Sequence, residues 1–548
     1  MNERLITLIE SSIKTYWNHP AFSDYQGEDF TYADVAEKIV SLHILFCAAG
    51  VKKGDKIALC GRNTSHWGIS FFAIATYGAV IVPILHEFKP ANIHHIVNHS
   101  ESRLLLVGDI VWSGLDESSM PRLEGIISVK DFSLLVGRND LLQQSYEQLK
   151  RHFHEAYPDG LHPEDIHFEA EDPEGLALIS YTSGTTSASK GVMIPYRGLT
   201  SNVRFGHDHI GLKPGDKHVC ILPLAHTYGM SFDFLYEFTE GCHIIFLTKV
   251  PSPRIIFQAF QQYKPTLIVS VPLILEKVVR GHIMPQLHKP FNRFLLSLPG
   301  IRQLILRKAG KKLSQLFGDN FIEVIIGGAA LNDEVEHLLK EMNFRFTVGY
   351  GMTECAPLIS YAHFDSFKLY SCGRPIERME VRIDSPSPTD TAGEILVRGT
   401  NVFLGYYKNG QSTSEVIDEN GWFHTGDLAT MDKNGNISIK GRSKNMFLSA
   451  NGQNIYPEEV EDKLSNMPYV SECLMVQRGN VFVGLVYPDY ETATRDHLHQ
   501  DDLIRLMEES RKELNKHLPA YSQLTKIILQ EEEFEKTPKR SIKRFLYQ

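Results

Sequence analysis

The stretch Leu178-Ile179-Ser180-Tyr181-Thr182-Ser183-Gly184-Thr185-Thr186-Ser187-Ala188-Ser189-Lys190-Gly191 reads as an apolar, aromatic strand that runs into a loop of hydroxyls and glycine and closes on a lysine. Such a loop can hold phosphate. Glycine lets backbone N–H groups approach anionic oxygens, the Ser and Thr hydroxyls donate further hydrogen bonds, and the lysine adds a mobile positive charge. It is not the common P-loop, in which two glycines five apart precede Lys and then Ser or Thr. Here Lys190 is followed by Gly191 and Val192. Taken alone, the stretch reads equally well as a polar surface loop.

Outward from this loop the chain alternates helical periods with short apolar runs. A helix is expected over 33–49 and strands over 56–60, 104–107, 267–271 and 321–326. The stretch 68–85 is uncharged and mostly apolar, close to the roughly 20 residues of a spanning helix. Gly78 and Pro83 interrupt it, and Ala79-Val80-Ile81-Val82 is β-branched, so it reads as a core helix, a glycine turn and a buried strand. The pattern is that of an α/β chain with mixed, largely parallel sheets flanked by helices. A β-rich subdomain follows from 394 to 440. After Gly441-Arg442 the texture changes to a helix from Pro457, strands around 473–476 and 481–487, and a charged helix over 501–518.

At 548 residues the chain is too long for a single ordinary core, so at least two domains are expected. A net charge of -10 argues against general nucleic-acid binding. The seven cysteines are scattered and form no Cys-x-x-Cys pair, which fits a reducing cytoplasm. Met1-Asn2-Glu3-Arg4 lacks the basic start and apolar block of a signal peptide.

Further motifs keep the loop company: Gly327-Gly328-Ala329-Ala330-Leu331, Gly349-Tyr350-Gly351-Met352-Thr353-Glu354, Gly393-Glu394-Ile395, Thr425-Gly426-Asp427 and Gly441-Arg442-Ser443-Lys444. Thr31-Tyr32, Gly54-Asp55-Lys56 and Gly78-Ala79 precede them, and Asn454-Ile455-Tyr456-Pro457 follows. In this order and spacing they resemble the adenylate-forming (AMP-binding) superfamily over nearly the whole chain, and within it the bacterial long-chain fatty acid–CoA ligases. The resemblance implies an N-terminal adenylation domain over 1–441 and a small, mobile α+β lid over 442–548, hinged at Lys444. It also implies a two-step reaction, in which a carboxylate attacks the α-phosphate of ATP and a thiol then attacks the acyl-adenylate. ATP, Mg2+, coenzyme A and a medium- or long-chain fatty acid are the implied ligands.

The resemblance assigns Thr182, Ser183, Gly184, Thr185, Thr186 and Lys190 to the phosphate loop, with Ser187 and Ser189 where glycine and proline are usual. Thr353 and Glu354 match the pair that touches phosphate and holds magnesium. One carboxylate suffices, because magnesium takes its other oxygens from phosphate and water. By themselves Thr353-Glu354 read as a helix N-cap followed by an acid. Gly328, Ala329, Tyr350 and Gly351 match the adenine site, Asp427 the ribose carboxylate and Arg442 its partner. Gly327 and His226 match acyl-site positions, although a lone histidine is more often a satisfied core residue than a gate. Gly452 lies in the loop that lines the thiol path in relatives. Around His226 the wall is aromatic and apolar, with Asp233 further on, which suits an uncharged acyl tail better than an amino acid.

One position departs from the family pattern. The segment Thr537-Pro538-Lys539-Arg540-Ser541-Ile542-Lys543-Arg544 places Ser541 where relatives carry a lysine that neutralises the adenylation transition state. Lys539 and Lys543 lie two residues away, on the same face of an extended strand, so either can substitute. The alternatives are an acyl-AMP ligase that delivers to acyl carrier protein and a non-catalytic acyl-adenylate binder. Residues 277–312 hold nine lysines and arginines and no acid, interleaved with Phe291, Phe294, Leu304 and other apolar residues. That composition fits a peripheral contact with an anionic membrane and equally a solvated face over a buried stripe.

Overall fold

A computed structural model describes all residues except 1–3, 183–188, 250–251, 288, 299, 449–452, 480 and 538–540, and not the side chains of His282, Asn292 and Arg293. The central sheet has eight strands in the order Gly405–Tyr406, Lys190–Pro195, Leu176–Thr182, Val80–Ile84, Lys56–Cys60, Leu104–Val107, Gly125–Ser128 and Leu134–Gly137. Its middle is parallel and both ends are antiparallel. Middle strands such as Val80–Ile84 and Leu104–Val107 are buried along their whole length, which is why they read as continuous apolar runs.

The apolar stretch that resembles a membrane span in composition resolves as helix Ser65–Tyr77, a left-handed Gly78 (φ 83°) and strand Val80–Ile84. A side chain at that φ would be strained, so glycine is what allows the helix to end and turn directly into the strand. Among the described residues no helix is long and apolar enough to cross a membrane. The helix expected over 33–49 runs Tyr32–Ala48. Thr31 accepts a hydrogen bond from the backbone of Asp34, and Asp34 accepts one in return, closing a capping box.

A second sheet orders Lys217–Cys220, His243–Phe246, Pro20–Asp24 and Asp29–Thr31, and a third, fully parallel sheet orders Ile268–Ser270, Val324–Ile326 and Phe346–Val348. The last two expected strands, 267–271 and 321–326, are thus shorter than their apolar runs. The β-rich part is an antiparallel sheet of Met379–Asp384, Gly393–Gly399, Phe423–Met431 and Ile437–Arg442. Beyond it, strands Val470–Arg478, Val481–Pro488 and Leu524–Leu529 carry helices Pro457–Ser465 and Gln500–Lys516, around separate cores that include Val460, Leu464, Met507 and Leu514. The helix expected over 501–518 stops at Lys516. All seven cysteines are free thiols.

Among the described residues, polar contacts join the C-terminal unit to the rest. Arg280 donates to the Ser465 carbonyl (2.7 Å) and to Asn466 (2.6 Å), Asn332 donates to Asp462 (2.6 Å), and Lys440 pairs with Glu459 (3.0 Å). The connecting turn Ser443–Asn445 has no buried residue.

Candidate active site

Strand Leu176–Thr182 ends at Thr182, and its antiparallel neighbour begins at Lys190, so the two residues stand opposite each other. Ser183, Gly184, Thr185 and Thr186 lie outside the described residues. The next strand across sets Tyr406 against Val192, and Lys190 Nζ lies 4.6 Å from the centroid of the Tyr406 ring. The Tyr406 hydroxyl donates to Glu354 Oε1 (3.1 Å). Burial and the Glu354 charge raise the pKa of Tyr406, which keeps it a donor. Lys190, Tyr406 and Glu354 therefore form one continuous contact from three distant parts of the chain.

Thr353 is the buried first residue of a 3-10 turn, Thr353–Cys355, capped by Met352 without a side-chain hydrogen bond. The reading of Thr353 as a helix N-cap therefore does not hold, because the turn is too short and starts one residue earlier. The Glu354 carbonyl accepts from the Phe403 amide (2.9 Å), which fixes the turn against the segment that carries Tyr406.

A second cluster forms on the β-rich sheet. Asp427 and Arg442 are register partners on adjacent strands. Arg442 Nε donates to Asp427 Oδ1 (2.9 Å), and the Tyr350 hydroxyl donates to Oδ2 (2.7 Å). Asp427 is buried, while the Arg442 side chain is 57% exposed. Burial raises the Asp427 pKa, and Arg442 and Tyr350 oppose that shift. Each carboxylate oxygen keeps acceptor capacity beyond its one protein partner.

Gly327, Gly328 and Ala329 follow strand Val324–Ile326. A Cβ on Gly327 would sit 2.9 Å from the Tyr228 ring, so only glycine lets Tyr228 pack there. Gly328 and Ala329 are exposed, with backbone open to a ligand. Gly351 pairs with Leu358 on the neighbouring strand. Tyr228 donates to the Ile325 carbonyl (3.2 Å), and His226, two residues earlier, is half-buried at the start of helix Thr227–Met230. Tyr228 thus packs on Gly327, and His226 lies two residues before it in the chain. Gly452 lies outside the described residues, and Lys444 is exposed in the turn Ser443–Asn445.

Behind this wall lies a buried trio. Asp233 Oδ1 meets His218 Nε2 at 2.5 Å, and its other oxygen accepts the backbone N–H of Ile221 (2.9 Å) and Leu222 (2.8 Å). Glu237 lies 3.7 Å from His218 Nδ1. Burial disfavours the His218 cation, but Glu237 and Asp233 outweigh it and its pKa is raised. Burial pushes the Glu237 carboxyl up to about 7. Asp233 is fully buried, with both oxygens taken by His218 and the two backbone amides.

At the C-terminus Ser541 is exposed, and its carbonyl accepts from the Thr537 amide (2.8 Å). Lys543 pairs with Glu535 (3.1 Å). Lys539 lies outside the described residues. Among the described residues no group of three or more His, Cys, Asp and Glu side chains gathers that could hold a metal ion. Glu354, a half-buried carboxylate with one oxygen on Tyr406, fits a magnesium ion that draws its remaining ligands from phosphate and water.

Sequence reasoning missed the linking role of Tyr406, and it took Tyr228 only as part of an apolar wall. The signal for Tyr406 is a Gly405-Tyr406-Tyr407 aromatic pair in a stretch otherwise poor in secondary structure.

These features gather two clusters of polar side chains, Lys190, Tyr406 and Glu354 on one side and Asp427, Arg442 and Tyr350 on the other. Residues 9–407 match the AMP-binding enzyme family and residues 444–547 match the AMP-binding enzyme C-terminal domain, and the chain belongs to this family. It is 27% identical over 498 residues to the long-chain-fatty-acid–CoA ligase of Escherichia coli, covering 86% of this chain and 83% of that one. The fold is shared with ATP-bound MatB from Rhodopseudomonas palustris (TM-score 0.78, 20% identity, 100% and 98% of the two chains). It is shared equally with the anthranilate CoA ligase AuaEII in complex with anthranoyl-AMP (TM-score 0.78, 18% identity, 99% and 96%).

Proposed function

We propose that the chain is an AMP-forming acid–CoA ligase whose acid is a medium- or long-chain fatty acid. In the first step a carboxylate oxygen bonds to the α-phosphorus of ATP and the bond to the β,γ-diphosphate breaks, giving acyl-AMP and pyrophosphate. In the second the CoA sulfur bonds to the acyl carbon, AMP leaves and the thiol proton is lost. The observation that carries this reading is the convergence of Lys190, Tyr406 and Glu354 on one side and Asp427, Arg442 and Tyr350 on the other, at the positions where the family handles phosphate and ribose.

In this reading Thr182, Lys190 and Thr353 bind the phosphates, together with Ser183, Gly184, Thr185 and Thr186. Bound Mg2+ would be held by Glu354 and would neutralise phosphate charge. Tyr406 orients that carboxylate. Asp427 accepts the ribose hydroxyls, Arg442 holds Asp427 in place, and Gly328, Ala329, Tyr350 and Gly351 enclose the adenine. Most of the catalysis is positioning and electrostatics. Residues 442–548 act as a lid that turns at Lys444 between the steps and brings Gly452 to the thiol path. Polar contacts between this unit and the rest, such as the Lys440–Glu459 pair, suit such rotation.

The acid is read as uncharged along its tail because Asp233, the acid nearest His226 in sequence, is consumed by His218 and two backbone amides and offers nothing to a substrate ammonium. The test is pyrophosphate release with ATP and magnesium across acids from acetate to oleate, each with and without CoA. A maximum at one chain length and a need for CoA for turnover are expected. Turnover with a carrier protein and not with CoA would establish the carrier-protein ligase instead.

A further inference from the structure

The exposed large apolar side chains of the molecule are not scattered evenly. Phe291 is 72% exposed, Phe294 63% and Leu304 74%, and all three belong to the acid-free segment 277–312. Phe291 and Phe294 stand three apart on helix Pro290–Leu296 and so share a face. On helix Ile301–Leu316 the buried side is Leu306, Gly310 and Leu313, and a Cβ on Gly310 would lie 2.1 Å from the Met342 carbonyl. That close packing fixes which side points out. The outward side carries Leu304, Lys308, Lys311 and Lys312, at spacings of four, seven and eight that line one helix face. Arg307, Lys308, Lys311 and Lys312 are all exposed, and among the described residues none of the four is in an ion pair. The other basic residues of the segment include two that are spent inside the protein, Arg302 on Glu341 (2.7 Å) and Arg280 on Ser465 and Asn466.

We propose that this face, Phe291, Phe294 and Leu304 with Lys308, Lys311 and Lys312, docks the protein on an anionic lipid bilayer. Apolar side chains enter the acyl boundary and lysines meet anionic lipid headgroups, so one planar bilayer satisfies both. The rest of a chain of net charge -10 is repelled by the same surface, so this face alone is turned toward it. A cavity of about 800 Å³ opens beside it, with apolar residues such as Leu287 and Leu296 on its wall and Asp333, Glu334, Glu341 and Asp462 also lining it, so the cavity is not itself part of the docking face. Docking stands apart from the catalytic reading, since none of these residues is assigned to it.

The experiment is co-sedimentation of the full chain with phosphatidylcholine vesicles, with and without phosphatidylglycerol, over a range of salt. Binding to the anionic vesicles that weakens with salt is expected. K308Q/K311Q/K312Q lowers partitioning about a hundredfold, at about fivefold per charge, and F291S/F294S/L304S lowers it at least about tenfold. The charge variant alters only exposed side chains and keeps the test valid if the apolar variant folds poorly. Equal partitioning onto neutral and anionic vesicles, or partitioning untouched by the charge variant, would overturn the proposal. So would a parent that binds no vesicle and is a dimer that F291S/F294S/L304S converts to monomer, because the face would then be a contact between copies.

Discussion

The ribose-side cluster and the C-terminal segment differ in how their charges are held. Asp427 is buried between a register-paired arginine and a tyrosine hydroxyl. Lys543 pairs with Glu535 across side chains 31% and 67% exposed, a contact that is worth little and breaks readily. The first geometry is built by folding and is complete in one conformation. The second holds its cation only by an exposed pair, and under the proposed function that cation is free to be re-used if the lid turns. The contrast teaches that a geometry set by strand register is fixed by folding, whereas an exposed ion pair leaves its lysine free to change partners.

The sharpest way to break that comparison is to remove both candidate cations. K539A/K543A is expected to slow acyl-AMP formation by about 10²–10³-fold, the range for losing one preorganised charge donor. Conversion of supplied acyl-AMP to acyl-CoA should stay near the parental rate. If S541K instead raises adenylation from nothing, the chain is a binder that has lost its lysine.

Next in size is D427A, expected to weaken ATP binding by about 10–100-fold through the loss of charged hydrogen bonds, as read by calorimetry. Arg442 is left exposed but the half-buried Tyr350 hydroxyl loses its acceptor, so the melting temperature should fall by about 1–3 °C. Y406F should lower adenylation by about fivefold and raise the magnesium concentration needed for half-maximal rate, because Glu354 loses one orienting hydrogen bond. An unchanged magnesium dependence would separate Tyr406 from the site.

The smallest effect concerns stability. Burial pushes Glu336 up to about 8 and Glu237 up to about 7. A carboxyl whose folded pKa is raised binds more protons native than unfolded, so its contribution is full below its unfolded value near 4.5. It is lost progressively as pH rises from about 4.5 through 7 to 8. Thermal stability should therefore fall over that window, and E336Q should make the fall shallower by about 1–3 °C.

Much of this was legible in the chain. Core strands such as Leu104–Val107 declare themselves because both faces are buried and every residue is apolar. The Gly78 turn is visible because only glycine fits between that helix and strand. Asp427 and Arg442 could be paired from their motifs, since a hairpin of adjacent strands sets their register. The strand ends at Ile268 and Val324 were not legible, because ladder partners, not apolarity, decide where a strand starts. Tyr406 escaped because its role is tertiary: it touches Lys190 and Glu354 only once the antiparallel edge of the central sheet has formed. The short 3-10 turn at Thr353 was not legible, because local propensity cannot see that the Phe403 amide holds the Glu354 carbonyl.

The most direct test of the account is fatty-acid-dependent exchange of labelled pyrophosphate into ATP, with magnesium and without CoA. The account predicts exchange that requires the acid, peaks at one chain length and falls with K539A/K543A. Tight ATP binding with no exchange for any acid would contradict it and make the protein a nucleotide-binding relative without adenylation chemistry.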